Sequence, residues 1–222
     1  MKVVPYIDIH THKQNSKTVS IVNCFGNFSQ LPVSGFYSVG IHPWYINTET
    51  EKQFMELTLI SKHANVVAIG ECGLDKVCKT DFTLQQHYFI KQIQLANTFH
   101  KPLIIHCVRA YNEVMKILEE QKVQVPIIFH GFNKRKAIAQ ELITKGYYLS
   151  FGKHLLNTSV AETFKTLPLE QLFLETDDSD MEIEEIYKAS AAIKNIEVAT
   201  LAEQLTKNAL QVFNVNFTTH DE

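Results

Sequence analysis

Six residues able to hold a metal close apolar runs along the chain: His10 and His12 in YIDIHTH, Glu71 in VVAIGECGLD, His106 in PLIIHC, His130 in VPIIFHGF and Asp177 in LFLETD. Imidazole together with carboxylate suits zinc, manganese, nickel or iron, and the set lacks the thiolates of a structural zinc site. A lone histidine after a buried strand is ordinarily a hydrogen-bonded core or rim residue. His-x-His carries more weight, because side chains at i and i+2 of a strand share one face. Asp8, His10 and His12 are therefore expected to point the same way. Each of the six, buried singly, would carry a desolvation cost; their repeated position at a strand end points to one shared site. Their number exceeds the three ligands plus water that a catalytic zinc commonly takes. With a carboxylate able to bridge, they fit a pair of ions about 3.5–4 Å apart. Such a pair generates hydroxide near neutral pH and stabilises an oxyanion, chemistry that serves hydrolysis of phosphate esters, amides or lactones.

The elements that must position these residues are legible as short runs of β-branched and aromatic residues bounded by turn formers. They are Tyr6 to His10, Thr18 to Cys24, Gly35 to Ile41, Val66 to Gly70, Leu103 to His106, Val125 to His130, Tyr147 to Phe151 and Leu172 to Glu175. Several are apolar throughout, as expected of parallel strands buried on both faces. Helical periodicity fills the longer gaps: Thr83 to Phe99, Tyr111 to Glu120, Lys136 to Thr144 and Thr200 to Phe213. Strands alternating with crossover helices predict a TIM-type (β/α)8 barrel formed by one domain over residues 1–222, with the candidate ligands at its C-terminal mouth. The first third departs from the ideal. Only Lys13 to Lys17 separates the first two strands, and the next link, GNFSQLPVS, is also short, whereas a crossover helix needs about a dozen residues. One or two outer helices are therefore expected to be missing near the N-terminal strands. The C-terminal helix or another subunit must then cover the bare wall. The tail from Thr218 is expected to be loose.

The composition, 45% hydrophobic and 20% charged over 222 residues, is that of an ordinary soluble globular chain. A net charge of −3 offers no global attraction to nucleic acid. The four cysteines lack C-x-x-C spacing and are too few for a disulfide scaffold. Cys72, beside Glu71, is turned to the opposite face by strand alternation. The N-terminal MKVVPYID, broken by Pro5 and ended by Asp8, does not read as a signal peptide, and no stretch reaches the length of a membrane span. A cytoplasmic protein is the expectation.

The motifs IDIHTH, GIHPW, IGECGLD, IIHC, FHGF and LETD, running in that order from residue 7 to 177, resemble those of the TatD-type metal-dependent hydrolases within the amidohydrolase-like barrels. The helix QQHYFIKQIQLANTFHKP is similar to the family's connecting helix. The resemblance implies two divalent metal ions, zinc ahead of manganese, nickel, magnesium or iron. It implies His10, His12 and Asp177 on one ion, His106 and His130 on the other, and Glu71 bridging, with Asp177 and Glu71 serving catalysis. It also places His42 of GIHP at the mouth, facing phosphate or holding a neighbour by a hydrogen bond.

The chain departs from the family pattern at three places. Val108 stands where an Arg usually follows the fifth-strand His, with Arg109 one place later. Lys76 replaces the aromatic residue after GLD. The acidic DSDMEIEEIYK replaces a segment with an Arg-Gly-x-x-Asn stretch. Asp178, Asp180, Glu182, Glu184 and Glu185 would repel phosphates if they lined the mouth, although acids also favour a helix start. Lys134, Arg135 and Lys136, just beyond His130, could bind phosphate or simply begin an exposed helix. The expected activity is a phosphodiesterase or deoxyribonuclease acting on a small phosphorylated substrate or short single-stranded DNA, without a membrane partner and possibly as a homo-oligomer. The alternatives are hydrolysis of an amide, lactone or ester, and metal binding with little activity.

Overall fold

The computed structural model describes residues 4–14, 18–26, 28, 31 and 34–217. Its strands are β1 (Ile7–Thr11), β2 (Val19–Cys24), β3 (Phe36–Val39), β4 (Val66–Asp75), β5 (Leu103–Val108), β6 (Ile127–Phe129), β7 (Tyr148–Phe151) and β8 (Leu172–Leu174). Strand order in the sheet follows chain order, and the pairs β1–β2, β3–β4, β4–β5 and β7–β8 are parallel. The α-helices among the described residues are α1 (Thr50–Ile60), α2 (Phe82–Phe99), α3 (Tyr111–Glu120), α4 (Lys136–Thr144), α5 (Thr158–Lys165), α6 (Ile183–Lys194) and α7 (Val198–Phe213). Between β1 and β2, and between β2 and β3, the described residues contain no α-helix. Residues 15–17 of the first link, parts of the second, and the tail from Thr218 lie outside the described residues.

The chain divides into two compact units, residues 23–128 and residues 1–22 with 129–222. In the first, α2 lies along β4. Phe89, Ile93 and Ala96, at helical spacing, are buried with Ile69, Leu74, Leu103 and Ile105 of the strands. Two further buried residues of the same helix do a different job. Gln92 accepts from the Ile41 amide at 2.7 Å and donates to its carbonyl at 3.1 Å. Gln85 accepts from the Asp75 amide at 2.8 Å and donates to its carbonyl at 3.0 Å. Each glutamine satisfies a backbone donor and acceptor where a strand gives way to a loop, which fixes the main chain beside His42 and at Asp75.

In the second unit, α7 packs on β1 and β8, so the C-terminal helix covers β1. The fully buried Tyr187 of α6 both donates to the Ile7 carbonyl and accepts from its amide, each at 3.1 Å. The acidic run after Asp177 contains the start of α6, with Glu182 and Glu185 forming a reciprocal capping box.

The strand carrying Glu71 corrects the sequence reading. Its apolar run stops at Gly70, but β4 continues to Asp75 with all ten residues buried, so Glu71 lies inside a strand rather than at its end. Gly73 permits this. It adopts φ +139°, and a Cβ there would sit 2.0 Å from the His106 carbonyl oxygen. Gly73→Ala should therefore lower stability by at least about 3 kcal/mol. Gly146→Ala, at φ +82° with open space around it, should cost about 1 kcal/mol, the strain of the left-handed region alone. Urea denaturation of the two variants checks this; equal midpoints would show that the close approach of β5 is not what demands Gly73.

Candidate metal centre

In the unit of residues 23–128, Glu71 is the hub. Its carboxylate is 6% exposed and is reached by three side chains. Asn23 donates to Oε2 at 3.3 Å while its own carbonyl oxygen accepts from the Glu71 amide at 3.0 Å. His42 Nε2 lies 3.1 Å from Oε1, and His106 Nδ1 lies 2.8 Å from the same oxygen. The tautomer of His42 follows from its other nitrogen. Nδ1 accepts the backbone N–H of Trp44 at 3.1 Å, so the proton sits on Nε2 and is donated to Glu71. His42 is buried, its ring turned toward Glu71.

Behind His106 stands Asp75, whose Oδ2 is 3.3 Å from His106 Nε2 and accepts the Trp44 indole N–H at 2.6 Å. Its Oδ1 accepts from the Val77 amide at 2.7 Å. Burial alone would raise the Asp75 carboxyl, but donation from Trp44, Val77 and His106 outweighs it and holds the group below the usual carboxylate range. A carboxylate behind a ring nitrogen is the arrangement that orients a metal-binding imidazole. Cys72 directs its thiol to the Ile104 carbonyl, 3.7 Å away.

In the unit of residues 1–22 and 129–222, backbone bonds assemble the cluster. Asp177 donates its amide to the His10 carbonyl at 2.9 Å, and His12 donates its own to the Asp177 carbonyl at 3.2 Å. Asp177 takes φ +54°, a left-handed conformation that Asp tolerates better than most residues. Its Oδ1 lies 3.4 Å from His12 Nε2 and 3.7 Å from His10 Nε2. The His10 and His130 ring centroids are 4.3 Å apart. Glu175, buried, accepts from the Gly131 amide at 2.6 Å and lies 3.6 Å from His130 Nδ1. Its other oxygen, Oε2, has no hydrogen-bond partner among the described residues. Asp8 accepts from the Thr176 amide at 3.0 Å and hydroxyl at 2.6 Å; burial outweighs these donors and pushes its carboxyl up to about 7.

The donor sets fit a divalent metal. The ligand atoms of His10, His12 and Asp177 lie within 4.8 Å of one another, as do those of His130, Glu175 and Asp177, and those of Glu71 and His106 together with His42, whose two ring nitrogens are already engaged and which therefore supports Glu71 rather than a metal. Nitrogen and oxygen donors in these proportions suit a borderline-hard dication. The buried Glu175 Oε2, which accepts no hydrogen bond among the described residues, is a position where a cation relieves a desolvation cost. Asn23, Asp75 and Glu175 are site residues that the sequence reading missed. Asp75 and Glu175 stood inside the quoted GECGLD and LETD motifs, where an acid in a buried run was the available signal.

A family model described as TatD-related DNase matches residues 9–214. The chain belongs to the TatD family. An uncharacterized metal-dependent hydrolase of Buchnera aphidicola (subspecies Baizongia pistaciae) is 33% identical over 196 residues, 80% of this TatD chain and 74% of its own length. The YabD protein of Bacillus subtilis, of the same description, is 29% identical, covering 82% of this chain and 78% of its own. The crystal structure of YJJV, a TatD homologue from Escherichia coli K12, superposes with a TM-score of 0.84 at 20% identity, covering 96% of this chain and 99% of that one. The TatD chain shares that fold, a TIM-type barrel of parallel strands with helices between them, as the strand alternation predicts.

Asp75→Asn keeps the shape of the side chain and removes the charge behind His106. Affinity for a divalent metal should fall about 10- to 100-fold with the far-ultraviolet circular dichroism unchanged. Competition against a chromophoric chelator measures it, and unaltered affinity would separate Asp75 from the metal centre.

Proposed function

We propose that this chain is a metal-dependent phosphodiesterase of the deoxyribonuclease type, acting on short single strands or small phosphate esters. The observation that carries the reading is the presence of clusters combining imidazoles with carboxylates, His10–His12–Asp177 and His42–Glu71–His106, in a chain matched by a DNase family model. The family motifs name His10, His12, Glu71, His106, His130 and Asp177 as the residues that would hold metal. Zinc suits these donors best, with manganese, nickel, magnesium and iron as the other candidates. When bound, such ions lower the pKa of water and stabilise negative charge on a phosphoryl oxygen.

The chain's own residues supply position and proton transfer. Asn23 and His42 fix both oxygens of Glu71, so its carboxylate is oriented before any ligand arrives. Asp75 orients His106 from behind. Asp177 is the carboxylate placed to accept a proton: its side chain is 29% exposed, whereas that of Glu71 is 6% exposed and that of Glu175 is 1% exposed. In hydrolysis it takes the proton of the attacking water as the oxygen–phosphorus bond forms. It returns that proton to the departing alkoxide, leaving a phosphate monoester and an alcohol.

The acidic run after Asp177 repels anions less than its sequence suggests. Lys153 pairs with Asp178 at 2.6 Å, Lys13 pairs with Asp180, and Glu184 pairs with Lys188. The preference for small or single-stranded substrates rests on Val108, where the family carries an Arg, and on the absent Arg-Gly-x-x-Asn stretch.

Metal-reconstituted protein should contain about two ions per chain, lose turnover on chelation and regain it on metal addition. It should cleave a dinucleotide or short single strand at least as well as duplex DNA. Turnover of amides or lactones with every phosphodiester untouched would replace this reading. The double variant His10→Ala, His12→Ala should be folded and inactive. Asp177→Asn, which keeps a residue tolerant of positive φ, should lower kcat by at least about a hundredfold. Near-normal kcat with unchanged metal content would assign the proton to another group.

A further inference from the structure

Among all the Phe, Tyr and Trp side chains of the chain, three are more than a third exposed: Phe25 at 43%, Trp44 at 55% and Tyr45 at 46%. They are neighbours. Phe25 and Tyr45 lie parallel, with centroids 4.9 Å apart and an interplanar angle of 6°. The rings of Tyr45 and Trp44 are 5.6 and 4.9 Å from that of His42, and Trp44 is 5.9 Å from His106. The exposed aromatic surface is thus continuous with the His42–Glu71–His106 cluster.

The local chain holds these rings in place. Trp44 and Tyr45 belong to a 3-10 turn, Pro43–Tyr45, started by His42 and Pro43, and Phe25 follows directly on β2. The Trp44 indole is tied to Asp75, so its orientation is set by the carboxylate that also holds His106.

We infer that Phe25, Trp44 and Tyr45 form a stacking ledge that seats an unpaired nucleobase of the substrate beside the catalytic cluster. The inference rests on the phosphodiesterase reading and names what that site recognises. Aromatic side chains that expose more than a third of their surface beside the proposed hydrolytic centre suit a flat ligand with a π-face, and stacking accepts any base because every base has one. Parallel, offset rings are the geometry that aromatic systems prefer. A base-paired strand keeps its faces stacked in the duplex, so the ledge selects single strands, loops and ends. An aliphatic acyl group would gain little from open rings and would need an enclosed pocket instead.

Trp44 is the chain's one tryptophan, so its emission reports occupancy of the ledge directly. The test titrates the zinc-loaded chain with a phosphorothioate tetrathymidylate and with an abasic phosphorothioate of the same length. The base-bearing strand should quench Trp44 and bind at least about tenfold more tightly than the abasic one. Phe25→Ala and Tyr45→Ala, both surface changes, should each weaken the base-bearing strand about tenfold and leave abasic affinity unmoved, with Phe25→Tyr restoring it. Equal affinity for the two strands would overturn the ledge while leaving phosphodiester cleavage intact. A self-association abolished by Phe25→Ala, with no dependence on bases, would also overturn it, as an interface between copies. Base-dependent binding without cleavage of any phosphodiester would uphold the ledge and remove the phosphodiesterase reading.

Discussion

A carboxylate buried inside a strand is tolerable only when polar groups surround it, and the local architecture follows from meeting that condition at Glu71. Asn23 reaches it from the end of β2, His42 from the loop after β3 and His106 from β5. The two histidines are in turn held by something else. Trp44 sets the tautomer of His42, Gln92 fixes the main chain one residue before it, and Asp75 braces His106. The narrow separation of β4 and β5, which Gly73 permits, brings the His106 ring within reach at all. Without these contacts the buried carboxylate would carry an uncompensated desolvation cost.

The second cluster is built by a different device. Main-chain hydrogen bonds join Asp177 to His10 and His12, so the spacing of these three side chains is set by backbone pairing rather than by side-chain braces. Asp8 and Thr176 reinforce the same junction from beneath. The left-handed turn at Asp177 lets the chain leave β8, pair with the end of β1 and still present the carboxylate to both imidazoles.

Strand positions and the histidines were legible in the sequence because both depend on local pattern. An apolar run of four to six residues ending in His or Asp is visible without knowing what surrounds it. The full extent of β4 was not legible. The run read from the sequence ended at Gly70, and only the approach of β5 shows why the strand continues through Gly73 to Asp75. Asn23, Asp75, Gln85 and Gln92 were hidden for a related reason. Their roles are defined by partners 10 to 51 residues away, and nothing in their own neighbourhoods distinguishes a buried brace from a surface amide or acid. The structure adds three helices that periodicity had not picked out: α1, whose apolar stripe is weak, and α5 and α6. The acidic run after Asp177 shows the converse. Its charges were plain, but their pairing with Lys13 and Lys153 depends on residues far from it in the chain.

The glutamines of α2 and the asparagine of β2 are neutral. Amide-to-backbone bonds of this kind do not weaken as counterions accumulate, unlike pairs of exposed charges, which are screened beyond about 10 Å at 0.1 M salt. The main chain beside His42 and at Asp75 is therefore set by bonds that ionic strength leaves alone. A change of behaviour with salt then reports on the pairs of exposed charges rather than on loosening of these supports.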